Sequence, residues 1–158
     1  MVNPEHLEVL KQGVGAWNQW RASNPEVTPN LGADLLFLQK ANLDGIDLRG
    51  ADFFEAQLES AHMQRADLRG ADLRRAELRG CKLWGAEMES ARLDHATLAD
   101  SELNGADLTR ASLRGIDLSS SDLSRATFRE AILQGANLQV TRSTLSPEKL
   151  AGADLTGE

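Results

Sequence analysis

The sequence predicts an all-β solenoid, a chain wound into stacked coils, and three observations carry that prediction. First, from Ala41 to Val140 the chain repeats every five residues, twenty times without a break, from Ala41-Asn42-Leu43-Asp44-Gly45 to Ala136-Asn137-Leu138-Gln139-Val140. Second, the apolar residues hold fixed places in each block. The third position is Leu except at Phe53, Met63, Met88 and Phe128, and the first is Ala except at Ile46, Cys81, Ser101, Ile116 and Ser121. Third, the fifth position is Gly in eight of the twenty blocks, at 45, 50, 70, 80, 85, 105, 115 and 135, and mostly a small or polar residue elsewhere. A period of five suits neither an amphipathic helix, which needs apolar residues near every 3.6, nor a half-buried strand, which needs every second. Apolar first and third positions make a very short extended segment with both side chains on one side. The remaining two residues carry turn chemistry. A chain that turns at every fifth residue closes into a coil, and coils stack.

The elements follow in order. Residues 3–22 read as one amphipathic helix. Asn3 suits the N-cap, Pro4 the first helical position and Glu5 the first turn, while Leu7, Leu10, Val14 and Trp17, extended by Trp20, form an apolar stripe. Gly13 and Gly15 each weaken that helix by about 1 kcal/mol. Asn24-Pro25 ends it, and Pro29 keeps the connector extended. Ala33-Asp34-Leu35 resembles one block but lies eight residues before Ala41, out of register, and Leu36-Phe37-Leu38-Gln39-Lys40 reads as a degenerate block in register. Beyond Val140, Ser146-Pro147-Glu148-Lys149-Leu150 reads as a short helical turn, and Ala153-Asp154-Leu155 as a stray block out of phase. Atypical ends are expected of a solenoid, whose terminal coils would otherwise expose apolar surface and open backbone edges. Three regions result: an N-terminal capping helix and connector at 1–30, the repeat array at 31–140 and a C-terminal cap at 141–158.

The pattern Ala-(Asp/Asn)-Leu-x-x, as in Ala66-Asp67-Leu68-Arg69-Gly70 and Ala106-Asp107-Leu108-Thr109-Arg110, resembles the pentapeptide-repeat family over about 100 of the 158 residues. The resemblance implies a right-handed quadrilateral β-helix with four blocks per coil, hence about five coils and a rod about 24 Å long at the spacing of paired strands. The segment from Asn3 to Trp20 also resembles the N-terminal helix of some bacterial, notably cyanobacterial, members. Residues 20 apart then stack. Leu43, Met63, Leu83, Leu103 and Leu123 form one inward column, and Phe53, Leu73, Leu93, Leu113 and Leu133 the opposite one. Cys81 stacks with the small Ala61 and Ser101.

Composition agrees with a narrow core of small and medium aliphatic side chains. Aromatic residues make up 4% of the chain, and there is no Tyr. The net charge of −7 disfavours direct nucleic-acid binding and anionic membrane. A single cysteine excludes an intramolecular disulfide and a multi-Cys metal site. The first residues lack the basic and apolar regions of a signal peptide, and no stretch approaches a membrane span, so the chain reads as soluble and cytoplasmic. No catalytic, cofactor or metal-binding constellation is evident. His6, His62 and His95 fall on the helix and on opposite faces and read as solvated. Cys81 reads as a packing residue, since a buried thiol does not ionise readily. The second-position Asp residues alternate with Arg and lack a calcium-binding nonapeptide pattern.

The surface is where function is left to reside. Some members of the family protect DNA gyrase by imitating duplex DNA, which requires a long acidic face. Sorting the blocks by face gives zero net charge for the face starting at Ala41, −2 for that starting at Ile46, zero for that starting at Ala51 and −3 for that starting at Ala56. The last carries Glu59, Glu77, Asp100 and Asp117 against Arg79 and is the best candidate for such mimicry. Trp84 and Phe54 occupy fourth positions, which should point outward or into the corners, and large apolar groups there mark contact sites; Lys82 shares a block with Trp84. The expectation is therefore a non-enzymatic scaffold presenting a rigid surface to an unidentified protein partner. The alternative is a DNA mimic binding a type II topoisomerase, and a solenoid end offers a route to a homodimer.

Overall fold

The computed structural model of the chain describes residues 3–32, 38–139, 148 and 150–155. The block Ala66-Asp67-Leu68-Arg69-Gly70 shows where five backbone N–H groups go in each turn of the array. Ala66 N donates to Met63 O at 3.1 Å and closes the turn before it; Asp67 N donates down to Ile46 O at 2.9 Å. Leu68 N and Gly70 N donate up to Glu87 O and Glu89 O at 2.7 and 3.0 Å. Arg69 N, the remaining donor, is taken by the Asp67 carboxylate at 3.3 Å. The second-position Asp or Asn thus completes the turn from its own side chain. The same bond recurs at Asp52–Phe54, Asp107–Thr109, Asp117–Ser119 and Asn137–Gln139.

Each coil closes after 20 residues. Asn42 pairs in parallel with His62, His62 with Lys82, Lys82 with Glu102 and Glu102 with Asp122, and three further columns repeat the spacing. Pairing touches a single residue per block, so each strand is as short as the repeat allows. The fifth position lies in the left-handed region in every block from Lys40 to Gly135, with φ between 56° and 72°. That explains the frequency of Gly there, although twelve of these positions, Lys40 among them, hold other residues.

First- and third-position side chains fill the interior. Both predicted columns are buried, Leu93 completely. Phe53 and Phe128, in the two terminal stretches of the array, are buried at 1% and 0% exposure, so the larger rings fill space near the ends. Cys81, Ser101 and Ser121 make a buried polar line beneath Ala61. Each donates to a third-position carbonyl of the preceding coil: Cys81 to Leu58 O at 3.0 Å, Ser101 to Leu78 O at 3.0 Å and Ser121 to Leu98 O at 2.7 Å.

The N-terminal segment differs from the single helix that its apolar stripe predicts. It forms α1, Pro4–Lys11, and α2, Val14–Ser23. Gly13, at φ 96°, breaks the path. Gln12 N and Gly13 N turn back to Val9 O and Leu10 O, and Gly13 O accepts Trp17 N to start α2. The Asn3 side chain does cap α1, accepting Glu5 N at 2.9 Å. The stripe survives the break: Leu10 and Trp17 are buried, and Leu7, Val14 and Trp20 pack against the core.

α2 lies along the opening edge of the first coil and uses side chains where a preceding coil would use backbone. Asn18 Oδ1 accepts Asp47 N at 2.8 Å, Trp17 Nε1 donates to Asp47 O at 2.6 Å, and Arg21 Nη2 donates to Arg49 O at 3.0 Å. The connector then joins the rod. Asp52 N donates to Pro29 O and Leu31 N to Asp52 O, both at 2.8 Å, so Asn30 pairs with Asp52 across 22 residues instead of 20. Leu38 is buried as a third-position residue and Lys40 takes the fifth-position conformation, as a degenerate block requires. Ala33-Asp34-Leu35, Leu36, Phe37, Ser146 and Pro147 lie outside the described residues. At the other end Ala153-Asp154-Leu155 is no stray: Asp154 pairs with Ile132, again across 22 residues, and donates its N–H to Ala131 O at 2.9 Å. The column through Asn30, Asp52, Asp72, Arg92, Ser112, Ile132 and Asp154 is thereby continuous from one end to the other.

Candidate functional site

The fourth positions place the two aromatic candidates on different faces, and neither is fully exposed. Trp84 is half-buried, with the Arg65 guanidinium 4.7 Å from its ring centre. Arg65 N also donates to Trp84 O at 3.0 Å, so backbone and side chain hold the pair together. Phe54 is half-buried against Arg74, whose guanidinium carbon is 5.4 Å from the ring centre. The expectation of bare aromatic surface is thus corrected: the coil stacks a long cation from a neighbouring turn on each ring. Lys82 sits half-buried beside Trp84 in sequence, between His62 and Glu102 in its column.

The acidic face is less bare than its count of charges suggests. Glu59 Oε2 accepts Gln39 Nε2 at 2.7 Å, and Asp100 pairs with Arg79 at 2.7 Å. Glu77 and Asp100 are exposed. Asp117 accepts Ser119 N and Asn137 Nδ2, both at 3.0 Å. Its bonds from Ser119, backbone first, hold its carboxyl below the usual carboxylate range. The neighbouring face that starts at Ile46 carries a ladder of ion pairs, Asp47–Arg49–Asp67–Arg69–Glu87. Such exposed pairs contribute little stability individually but order the side chains into a fixed row.

The histidines are not alike. His95 is exposed and His62 half-buried, but His6 is buried at 6% exposure, against the solvated reading. Its Nδ1 accepts Asn30 N at 3.0 Å and its ring centre lies 5.1 Å from that of Trp20. Desolvation lowers its pKa. The Cys81 thiol is pushed up to about 12 by burial and stays protonated. Among the described residues no group of three His, Cys, Asp or Glu is placed to hold a metal ion, and no helix is long and apolar enough to cross a membrane.

Charge sorting by face overlooks one feature. The face starting at Ala51 sums to zero, yet its acids and bases sit in different rows. Asp52 and Asp72 hold second positions, while Arg74 and Arg114 hold fourth positions. The result is a groove of about 400 Å³ lined by Phe54, Arg74, Arg75, Asp94, His95 and Arg114. Counting positions within the face, instead of totals over it, would have found this from sequence.

Four five-residue blocks per closed coil define a quadrilateral β-helix. The family model for pentapeptide repeats matches the chain in eight copies, over residues 38–70, 71–110 and 101–139. The chain belongs to the pentapeptide-repeat family. No curated protein matches it. Among solved structures it is similar to the pentapeptide repeat protein Rfr23 from the cyanobacterium Cyanothece 51142, at 23% identity over 87% of this chain and 92% of that one, with a TM-score of 0.35. It is also similar to HetL, a pentapeptide repeat protein involved in heterocyst differentiation regulation from the cyanobacterium Nostoc sp. strain PCC 7120. The identity there is 31% over 73% of this chain and 62% of that one, with a TM-score of 0.25. QnrB1, a plasmid-mediated fluoroquinolone resistance protein, is similar at 19% identity over 73% of this chain and 80% of that one, with a TM-score of 0.22.

Proposed function

We propose that the protein is a non-enzymatic scaffold whose rigid rod, a right-handed β-helix of about five coils closed by its N-terminal helix, presents a contact surface to a protein partner in the cytoplasm. Residues 1–30 act as cap, 31–140 as the contact rod and 141–158 as the second cap. The observation that carries this reading is the Trp84–Arg65 pair: a half-exposed indole held at mid-rod under a guanidinium, with Lys82 in the same block. Trp and Arg are the residues that anchor protein interfaces, because both bury large area and lose little freedom when already held in place. Phe54 is a second anchor of the same type. The test is retention of partners by the immobilised full chain, compared with Trp84→Ala, Lys82→Ala and a Gln57→Ala control on another face. The expected result is a protein retained by wild type and the control and lost from Trp84→Ala. Identical retention by all four would overturn the reading.

A second reading, a DNA mimic that binds a type II topoisomerase, is favoured by the face of Glu59, Glu77, Asp100 and Asp117. Gln39 and Arg79 cover two of those carboxylates, which weakens it relative to the first. Gyrase supercoiling with and without the protein separates the two. Inhibition that is lost on Glu77→Gln with Asp117→Asn supports the mimic, and no effect at micromolar protein removes it. An end-to-end homodimer is a further proposal, decided by sedimentation at several concentrations.

A further inference from the structure

We infer that the groove on the face starting at Ala51 is a binding site for a small oxyanion, a phosphate monoester with an apolar ring, separate from the Trp84 surface. Three guanidinium groups and one carboxylate line it, so the lining is positive although the face is neutral. Its volume falls at the lower end of the range for small-molecule sites.

The state of each cation decides where the ligand binds. Arg74 donates Nε and Nη2 to Asp72, at 2.8 and 2.7 Å, and Arg75 pairs with Glu55 at 3.0 Å, so both are positioned but neutralised. Arg114 is different. It donates to Gln134 Oε1 at 3.2 Å and to Ser112 Oγ at 2.9 Å, both neutral acceptors, and makes no ion pair among the described residues. A guanidinium aimed by neutral groups keeps its full charge and presents a planar fork suited to phosphate. Asp94 lies in the row between Arg74 and Arg114. It is occupied by Ser112 Oγ and Arg114 N, the latter at 3.0 Å, which holds it in place, but its charge opposes an anion. The walls are built. A Cβ on Gly115 would lie 2.6 Å from His95 Nδ1, so His95 lies across Gly115 in the space that a side chain would fill. Phe54, backed by Arg74, supplies the apolar surface for a ring. The whole sits on the column that runs unbroken from Asn30 to Asp154.

The experiment is titration of the full chain with phenyl phosphate and with inorganic phosphate, followed calorimetrically and by amide chemical shifts. Saturable binding of phenyl phosphate is expected, tighter than that of inorganic phosphate, weakening with added salt. Arg114→Gln weakens it by about tenfold or more, since a charge-assisted pair is lost, and Phe54→Ala reduces phenyl phosphate to the level of inorganic phosphate. Asp94→Asn strengthens binding, a change of sign that no loss of folding produces. Arg69→Gln, on the neighbouring face, leaves it unchanged. Absence of saturable binding, or equal weakening by Arg114→Gln and Arg69→Gln, overturns the site.

Discussion

The two ends of the rod meet the same problem with different means. A solenoid must stop, and each stop leaves an edge of backbone donors and acceptors and an uncovered apolar layer. At the N-terminal end, helix α2 answers the edge with side chains: Trp17, fully buried, Asn18, and Arg21 at 2% exposure each bond a backbone group of Asp47 or Arg49. At the C-terminal end, the described residues answer with one more strand. Ala153-Asp154-Leu155 pairs over Ala131-Ile132-Leu133, and the layer it adds is itself uncovered: Leu155 is 42% exposed. A side-chain cap ends the ladder, whereas a strand cap moves the edge outward by one layer. The N-terminal end should therefore be the more stable of the two.

The largest test lies between the ends. Leu93 is fully buried at mid-rod, and Leu93→Asp places a charge where nothing pairs it. Loss of the folded state is expected, seen as loss of the β spectrum and of any cooperative melt. If only one half of the rod melted, the coils would be less coupled than a common core implies. Next comes the contrast of Trp17→Ala with Leu155→Ala. Removing a buried Trp costs about 3–5 kcal/mol, and here it also strips the bond to Asp47 O. Leu155, partly exposed, should lose less than about 1 kcal/mol. Denaturant titration of the two variants gives the ratio, and equal losses would refute the asymmetry.

The third test is acid. His6 accepts Asn30 N through Nδ1, so it serves the N-terminal end only in its neutral form. Its pKa is lowered by burial, with Glu5 opposing and Arg21 reinforcing the shift. The unfolded chain then binds this proton more readily than the folded one, so stability is fully present above the ordinary value of 6.5. It falls as pH drops below that value towards the lowered folded pKa, and levels off beneath it. Hydrogen exchange measured from pH 7 to 5 should show Asn30 and Asp52 losing protection relative to the amides of Ile132 and Leu133, and His6→Gln should flatten that difference.

How much of this was legible beforehand depends on which force governs each residue. The inward columns were legible because Leu and Ala at fixed offsets answer to packing alone. The break at Gly13 was not, because the apolar stripe of Leu10, Val14 and Trp17 continues across it and both the broken and the unbroken helix bury those side chains. Asn30 and Leu31 were read as connector because their spacing to Asp52 is 22, and only the backbone bonds reveal that two surplus residues are accommodated between coils. His6 was read as solvated because burial by a distant connector leaves no local mark. Trp84 was located at its outward position, but the guanidinium of Arg65 on it comes from the preceding coil. The groove at Arg114 was hidden by summing charge over a face whose acids and bases lie in separate rows.

The smallest effect probes whether the ends are thermodynamically distinct. Ser90 and Ser120 both hold the fifth position at φ 59°. A non-Gly residue pays about 1–2 kcal/mol in the left-handed region, while Gly loses about 0.5–1 kcal/mol more chain entropy on folding. Ser90→Gly and Ser120→Gly should each therefore stabilise by about 0.5 to 1 kcal/mol locally. The location decides how that gain is read. In a linear array each coil contacts only its neighbours, so a terminal stretch can open without the rest. Ser90 is in mid-rod and its gain should raise the global melting midpoint. Ser120 lies nearer the C-terminal end, and its gain should appear chiefly as slower exchange of nearby amides such as Ser121 and Asp122, with a smaller rise in the midpoint. If the two substitutions raised the midpoint equally, the whole rod would unfold as one unit, and the strand cap at Asp154 would close its end as firmly as α2 closes the other.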